Sequence, residues 1–146
     1  MKMNLNNPAF LQSASNVGGG VEMITFVDSK SNNPQVKLSC DGYLKVVSTY
    51  NGEQITQTLS NISEQTVSIQ ADVNTIVTLI GKVTYFSTHV TYPGGTTRLT
   101  SLDVSANTAL TYLHCSTNQL TSLDVSANTA LTKLHCSYNQ LTSLDV

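Results

Sequence analysis

Between Leu99 and Val146 the apolar positions keep a fixed rhythm. Residues 99–119, LTSLDVSANTALTYLHCSTNQ, and residues 120–140, LTSLDVSANTALTKLHCSYNQ, agree at 19 of 21 positions, and a third copy begins as LTSLDV at Leu141. A period of this length marks a stacked-repeat architecture. Inside each copy a finer pattern recurs: Leu110-x-x-Leu113-x-Cys115-x-x-Asn118, then Leu120-x-x-Leu123-x-Val125-x-x-Asn128. A helix would sustain apolar residues at i, i+3, i+4 and i+7, whereas these Leu-x-Cys and Leu-x-Val cores alternate inward and outward as short strands do. Each 21-residue coil is therefore predicted to hold two short strands joined by Asn turns. Equivalent strands of successive coils would stack in parallel, about 4.8 Å apart.

Upstream, Val83-Thr-Tyr-Phe86-Ser-Thr88 aligns with Leu110-Thr-Tyr-Leu113-His-Cys115 and reads as a degenerate lead-in coil. Tyr92-Pro-Gly-Gly-Thr-Thr-Arg98 is a loop inserted before Leu99. Strand signals begin at Val21–Val27. Two dipeptides of the hairpin type follow, Asp41-Gly42 between Val36–Cys40 and Tyr43–Val47, and Asn51-Gly52 between Val46–Tyr50 and Glu53–Leu59. Both suit the positive φ of two-residue turns, which predicts a three-stranded meander over about 35–60. Val67, Ile69 and Ile76–Ile80 supply further strands. Residues 1–20 carry little apolar pattern, end in Gly18-Gly19-Gly20, and read as a flexible arm. The expected fold is all-β. Residues 21–75 form an antiparallel β-meander cap, and 76–146 form a short solenoid: degenerate coil 76–98, full repeats 99–119 and 120–140, partial repeat 141–146. The cap would cover the apolar end of the first coil.

The repeat resembles the leucine-rich repeats, whose core is L-x-x-L-x-L-x-x-N-x-L. It is most similar to the 21-residue nested class, sometimes called IRREKO, of bacterial surface proteins and phage-encoded proteins. The likeness covers 99–146, about a third of the chain. In that class the second half-repeat reads L-x-x-L-D-L-x-x-N. Leu120-Thr-Ser-Leu-Asp-Val-Ser-Ala-Asn128 fits it with Val125 in place of Leu, while Cys115 and Cys136 take the other core position. The resemblance implies a leucine-rich-repeat solenoid used for binding or display, and does not imply catalysis.

Composition narrows the function classes. Only 11% of residues are charged, and polarity comes from 20 Thr, 17 Ser and 13 Asn. A net charge of −2 provides no whole-chain footprint for nucleic acid or an anionic membrane. With no Trp and nine aromatics there is no base-stacking platform. The longest apolar run, Thr75–Ile80, is too short to cross a bilayer as a helix. Three cysteines, Cys40, Cys115 and Cys136, are no disulfide framework, and Cys115 and Cys136 are expected to be buried, reduced thiols in a core ladder.

His114 and His135 stack one coil apart on the outward side. The adjacent inward cysteines cannot share an ion with them, so no metal or cofactor site is assigned. Asp103, Asp124 and Asp145 form an outward carboxylate column, either a solvated face or turn-bonding residues, with like-charge repulsion tending to raise their pKa values. Identical carboxylates on a flat face lack the differentiated environments of an acid–base pair. No nucleotide-binding, hydrolase or zinc-protease motif occurs, and the chain is read as non-enzymatic. Asn107, Asn118, Asn128 and Asn139 recur at turns, where their side chains can bond the backbone.

The two positions that differ between copies, Tyr112/Lys133 and Thr117/Tyr138, flank the histidines. The candidate binding face is therefore Tyr112, His114, Thr117, Lys133, His135 and Tyr138, presented to a protein or glycan. With no signal-like apolar region after Met1, the expected setting is a virion-associated decoration or fibre protein, anchored through residues 1–20. The other setting is a bacterial surface or secreted adhesin whose leader has been removed. Leu141, Leu144 and Val146 would leave an apolar end open to a homo-oligomer or virion partner.

Overall fold

A computed structural model describes residues 21–29, 33–88 and 98–146. The arm at 1–20 and residues 92–97 of the inserted loop lie outside these. Every regular element among the described residues is a strand, as expected. In chain order they are β1 (Met23–Asp28), β2 (Gln35–Tyr50), β3 (Glu53–Ser68), β4 (Ile76–Ile80), β5 (Val83–Ser87), β6 (Leu99–Asp103), β7 (Tyr112–His114), β8 (Ser122–Asp124), β9 (Lys133–His135) and β10 (Ser143–Asp145). Eight make one mixed sheet in the order β6-β1-β4-β2-β5-β7-β9, with β3 also on β2, and β8 and β10 form a separate parallel pair.

The expected meander is corrected to one long ribbon. β2 and β3 pair antiparallel from Tyr50↔Glu53 to Gln35↔Ser68, so β3 absorbs the strand expected separately at Val67. Asn51-Gly52 does turn the chain, with φ of 52° and 74°. The Asp72 carboxylate accepts both turn N–H groups at 3.1 Å. Asp41-Gly42 does not turn it. Gly42 has φ of 75°, but the register passes from Cys40↔Ile62 to Tyr43↔Ser60, so the dipeptide is taken up as a β-bulge. Positive φ serves a turn or a bulge equally, and here partners on both edges of β2 decide. β3 runs along one edge; on the other, β4 and β5 lie end to end, pairing Lys45–Val47 and Lys37–Cys40. Gly81 makes the step between β4 and β5 at φ 144°, where a Cβ would sit 2.6 Å from the Tyr43 carbonyl oxygen.

Period-two alternation builds the core. Ile24 and Phe26 of β1, Val36, Leu38 and Cys40 of β2, and Val77 and Leu79 of β4 are buried with polar residues between them. The same cluster continues through Phe86, Leu99, Leu110, Leu113 and Leu120 to Val125, so the N-terminal sheet and the copies share one core. Phe26 and Phe86 meet at its centre with ring centroids 5.9 Å apart.

Each copy supplies two short strands. β5, β7 and β9 stack in parallel register, with Phe86, Leu113 and Leu134 aligned inward. β8 and β10 pair in parallel, while β6 pairs antiparallel with β1 and not with β8.

The Asn turns are a hydrogen-bonded ladder, as their recurrence suggested. Asn118 accepts the Leu99 N–H at 2.8 Å and donates to Cys115 O and Thr88 Oγ1, both at 2.9 Å. One coil on, Asn139 accepts the Leu120 N–H at 3.1 Å and donates to Cys115 O and Cys136 O at 2.9 Å. On the other bend Asn107 holds both backbone groups of Val83, and Asn128 donates to Val104 O and Asn107 O. Buried backbone groups that no strand partner reaches are thereby satisfied by side chains.

Candidate functional site

On the side of β5, β7 and β9 opposite Phe86, Leu113 and Leu134 the side chains form two rows across the sheet, the second beginning at Ser87, which is buried. Parallel register aligns Tyr85 with Tyr112 and Lys133, and Ser87 with His114 and His135. Tyr85 and Tyr112 stack face to face, 4.4 Å between centroids and 2° between planes. His135 packs against Tyr112 at 5.7 Å and against His114 at 5.1 Å. On the near side the Lys37 ammonium lies 5.6 Å from the Tyr85 ring centroid and pairs with Glu64 at 3.2 Å. Burial pushes the Tyr85 hydroxyl pKa up, Tyr112 adds to the rise, and Lys37 pulls the other way.

Four of the six residues chosen from the sequence, Tyr112, His114, Lys133 and His135, are thus brought together. The other two are placed differently. Thr117 and Tyr138 follow the strands in the next bend, at φ of 62° and 55°, and Tyr138 is 85% exposed. They flank the rows from the bend and do not extend them. Tyr85 and Lys37 were missed. The alignment of Val83–Thr88 with the first copy already carried the signal for Tyr85; nothing local signals Lys37, which comes from β2.

Mutual stacking sets the chemistry of this face. The faces of Tyr85 and Tyr112 cover each other, with Lys37 and His135 closing the two ends of the stack. Beside the stack the Lys133 ammonium and the His135 imidazole are exposed. The ammonium only donates, whereas an imidazole can both donate and accept, a pair suited to a surface bearing hydroxyls and carbonyl oxygens.

No family model, curated protein or solved structure matches the chain.

The opposite side is chemically plainer. Asp103 and Asp124 are exposed, and each accepts the backbone N–H at 2.9 Å and the hydroxyl at 2.6 Å of the serine two residues on, Ser105 and Ser126. Those bonds lower the Asp124 carboxyl pKa, which corrects the expectation that stacking would raise it. The turn-bonding alternative is the one realised. A shallow cleft of about 260 Å³ lies where β6 and β8 fail to pair, lined by Leu102, Asp103, Ser105, Ser122, Leu123 and Asp124. Its carboxylates are already engaged by their own turns. Among the described residues no three His, Cys, Asp or Glu cluster as a metal site would require.

Cys115 and Cys136 point inward as free thiols, but only Cys115 is fully buried; Cys136, in the last full copy, is half-buried. Burial pushes the Cys115 thiol up to about 12, and Cys136 beside it adds to the rise.

Proposed function

We propose that this chain is a non-enzymatic display module, a short leucine-rich-repeat solenoid capped by its N-terminal sheet. It contacts a protein or glycan through the outward side of β5, β7 and β9. The observation that carries this reading is the in-register row Tyr85–Tyr112–Lys133 with the His114–His135 pair beside it, fixed by backbone ladders beneath. A rigid scaffold bearing aromatic and cationic groups is how hot-spot surfaces are built, because little side-chain freedom remains to be lost on binding. The substitutions between the two copies support the same face: Lys133 replaces Tyr112 within the row, and Tyr138 replaces Thr117 beside it. The Asp column on the other side is unchanged between copies and spends its carboxylates on local turns.

The test has two arms, a glycan array and panning of a random peptide library, both using the full chain. A ligand recovered from either should lose more than tenfold in affinity with Tyr112→Ala plus His135→Ala, and far less with Asp103→Ala plus Asp124→Ala. Equal losses from the two double variants would sink the reading.

A further inference from the structure

β3 pairs with β2 alone, so among the described residues its outer edge is open along the whole strand. Open edges are templates for another chain, and proteins blunt them with Lys, Pro or bulges. The second half of β3 carries such a device, with Asn61 and Glu64 at φ of 48° and 44° opposite the bulged stretch of β2. The first half, Glu53-Gln-Ile-Thr-Gln-Thr-Leu-Ser60, carries none. Its register with β2 is unbroken, its only charge is at Glu53, and it contains no Lys or Pro.

Two further observations concern the inner side of this half. Ile55, Gln57 and Leu59 lie opposite Ser48, Val46 and Leu44. Those β2 residues are buried, whereas the three on β3 stay half-buried, with no second strand beyond them among the described residues. Gln57 Oε1 is shielded from solvent and has no hydrogen-bond partner. The direction of the backbone groups follows from the turn. A two-residue hairpin makes its flanking pair, Tyr50 and Glu53, hydrogen-bonded, and alternation then aims N–H and C=O of Gln54, Thr56, Thr58 and Ser60 at the open edge.

We propose that residues 53–60 pair with the same residues of a second copy of this chain, antiparallel, about a two-fold axis through Gln57. Keeping both inner rows on one face requires like to oppose like along the pleat. Centring on Gln57 sets Ile55 against Leu59 of the second copy, Thr56 against Thr58, and Gln57 against Gln57. Two Ile–Leu contacts then close around an amide pair in which each Gln57 Nε2 donates to the other's Oε1. Thr against Thr is a favourable cross-strand pair, and Glu53 meets Asn61 rather than another carboxylate. Shifting the centre to Thr56 would set Gln57 against Ile55 and leave its oxygen unpaired. A contact of this isologous kind closes at two copies and does not propagate into a fibre.

The experiment uses the full chain with Cys136→Ser, since Cys40 and Cys115 are buried. Sedimentation should show a dimer. Gln57→Cys should cross-link to its twin under mild oxidation, because a non-hydrogen-bonded antiparallel pair has Cα atoms about 4.5 Å apart, within disulfide reach. Gln54→Cys, placed opposite Ser60, should not cross-link. Thr58→Pro removes an edge donor that β2 does not use and should yield a monomer with an unchanged far-UV spectrum. If that variant fails to fold, the two cysteine variants still decide. A monomer at every concentration with Gln57→Cys left uncoupled overturns the proposal. So does a dimer indifferent to Thr58→Pro, which would place the interface elsewhere.

Discussion

The two ladders of the repeat region come from the same copied sequence, yet only one is continuous. β5, β7 and β9 pair without interruption, whereas β6 is held by β1 and the β8–β10 pair stands apart. The copies differ at only two positions, so the cause lies in what precedes them. Val83, Phe86 and Thr88 present β7 with a parallel edge whose buried residues stand where Leu110, Leu113 and Cys115 stand one coil on. β6 meets an antiparallel neighbour instead, with a register shift at Val27/Asp28. The mismatch reaches the turns. Asn107 Oδ1 accepts the Val83 N–H at 3.2 Å, while its copy Asn128 has a buried Oδ1 with no partner. A repeat encodes its own two strands; the first neighbour decides whether successive copies pair in register.

The largest effect should come from the turn that joins the ladders. Asn118→Ala leaves the Leu99 N–H unpaired in the core and removes one donor each from the Cys115 C=O and the Thr88 hydroxyl, which keep their bonds to Asn139 and His114 O, and should cost about 3 kcal/mol in urea unfolding. Asn139→Ala removes the equivalent bonds from a half-buried site and should cost about 1 kcal/mol. Equal losses would mean that burial does not distinguish the two coils.

Alkaline titration examines the continuous ladder by itself. The Cys115 thiol ionises at about 12 in the fold against 9.0 for the free group. As pH rises past 9 the unfolded chain therefore releases this proton first. The contribution is intact below that pH and shrinks by about 1.4 kcal/mol per unit until the folded thiol ionises, about 4 kcal/mol in all. Tyr85, also raised, acts in the same direction above its ordinary value of 10.0. Urea melts on either side of pH 9 should show the decline, and Cys115→Ala should flatten most of it.

The smallest effect is a gain. Thr117 is β-branched and sits at φ 62°, a conformation Asn tolerates far better. Thr117→Asn should raise stability by about 1 kcal/mol, since its backbone N–H keeps its 2.9 Å bond to Ser137 O. Tyr138→Asn, at the matching bend and unbranched, should gain less. A loss at Thr117 would show that its side chain does more than occupy a strained bend.

What could be read from the sequence divides along the same line. The strand phase within each copy, the Asn turns and the alignment of Val83–Thr88 with Leu110–Cys115 were legible, because a duplicated local pattern repeats its own evidence. The bulge at Asp41-Gly42, the place of β4 between β1 and β2, and the clasp of Asp72 on the Asn51-Gly52 turn were not. Each depends on segments far apart in the sequence that pair in space, about which a dipeptide says nothing. The candidate face was half legible for the same reason. Its strand residues followed from the phase, whereas Thr117 and Tyr138 fell in a bend and Lys37 arrived from a distant strand.

Neighbour-only pairing in the ladders has a consequence for how such a chain can change. No strand of 120–146 pairs with β1, β2, β3 or β4, so another 21-residue copy inserted at Gln119/Leu120 would disturb no register in the N-terminal sheet. It would lengthen the molecule by one strand spacing, about 4.8 Å. The unit of gene duplication and the unit of pairing coincide. Each copying event would add one more residue at the Tyr112/Lys133 position of the outward row, and one more at the Thr117/Tyr138 bend beside it. Both would be free to diverge while the N-terminal sheet stays under unchanged constraint.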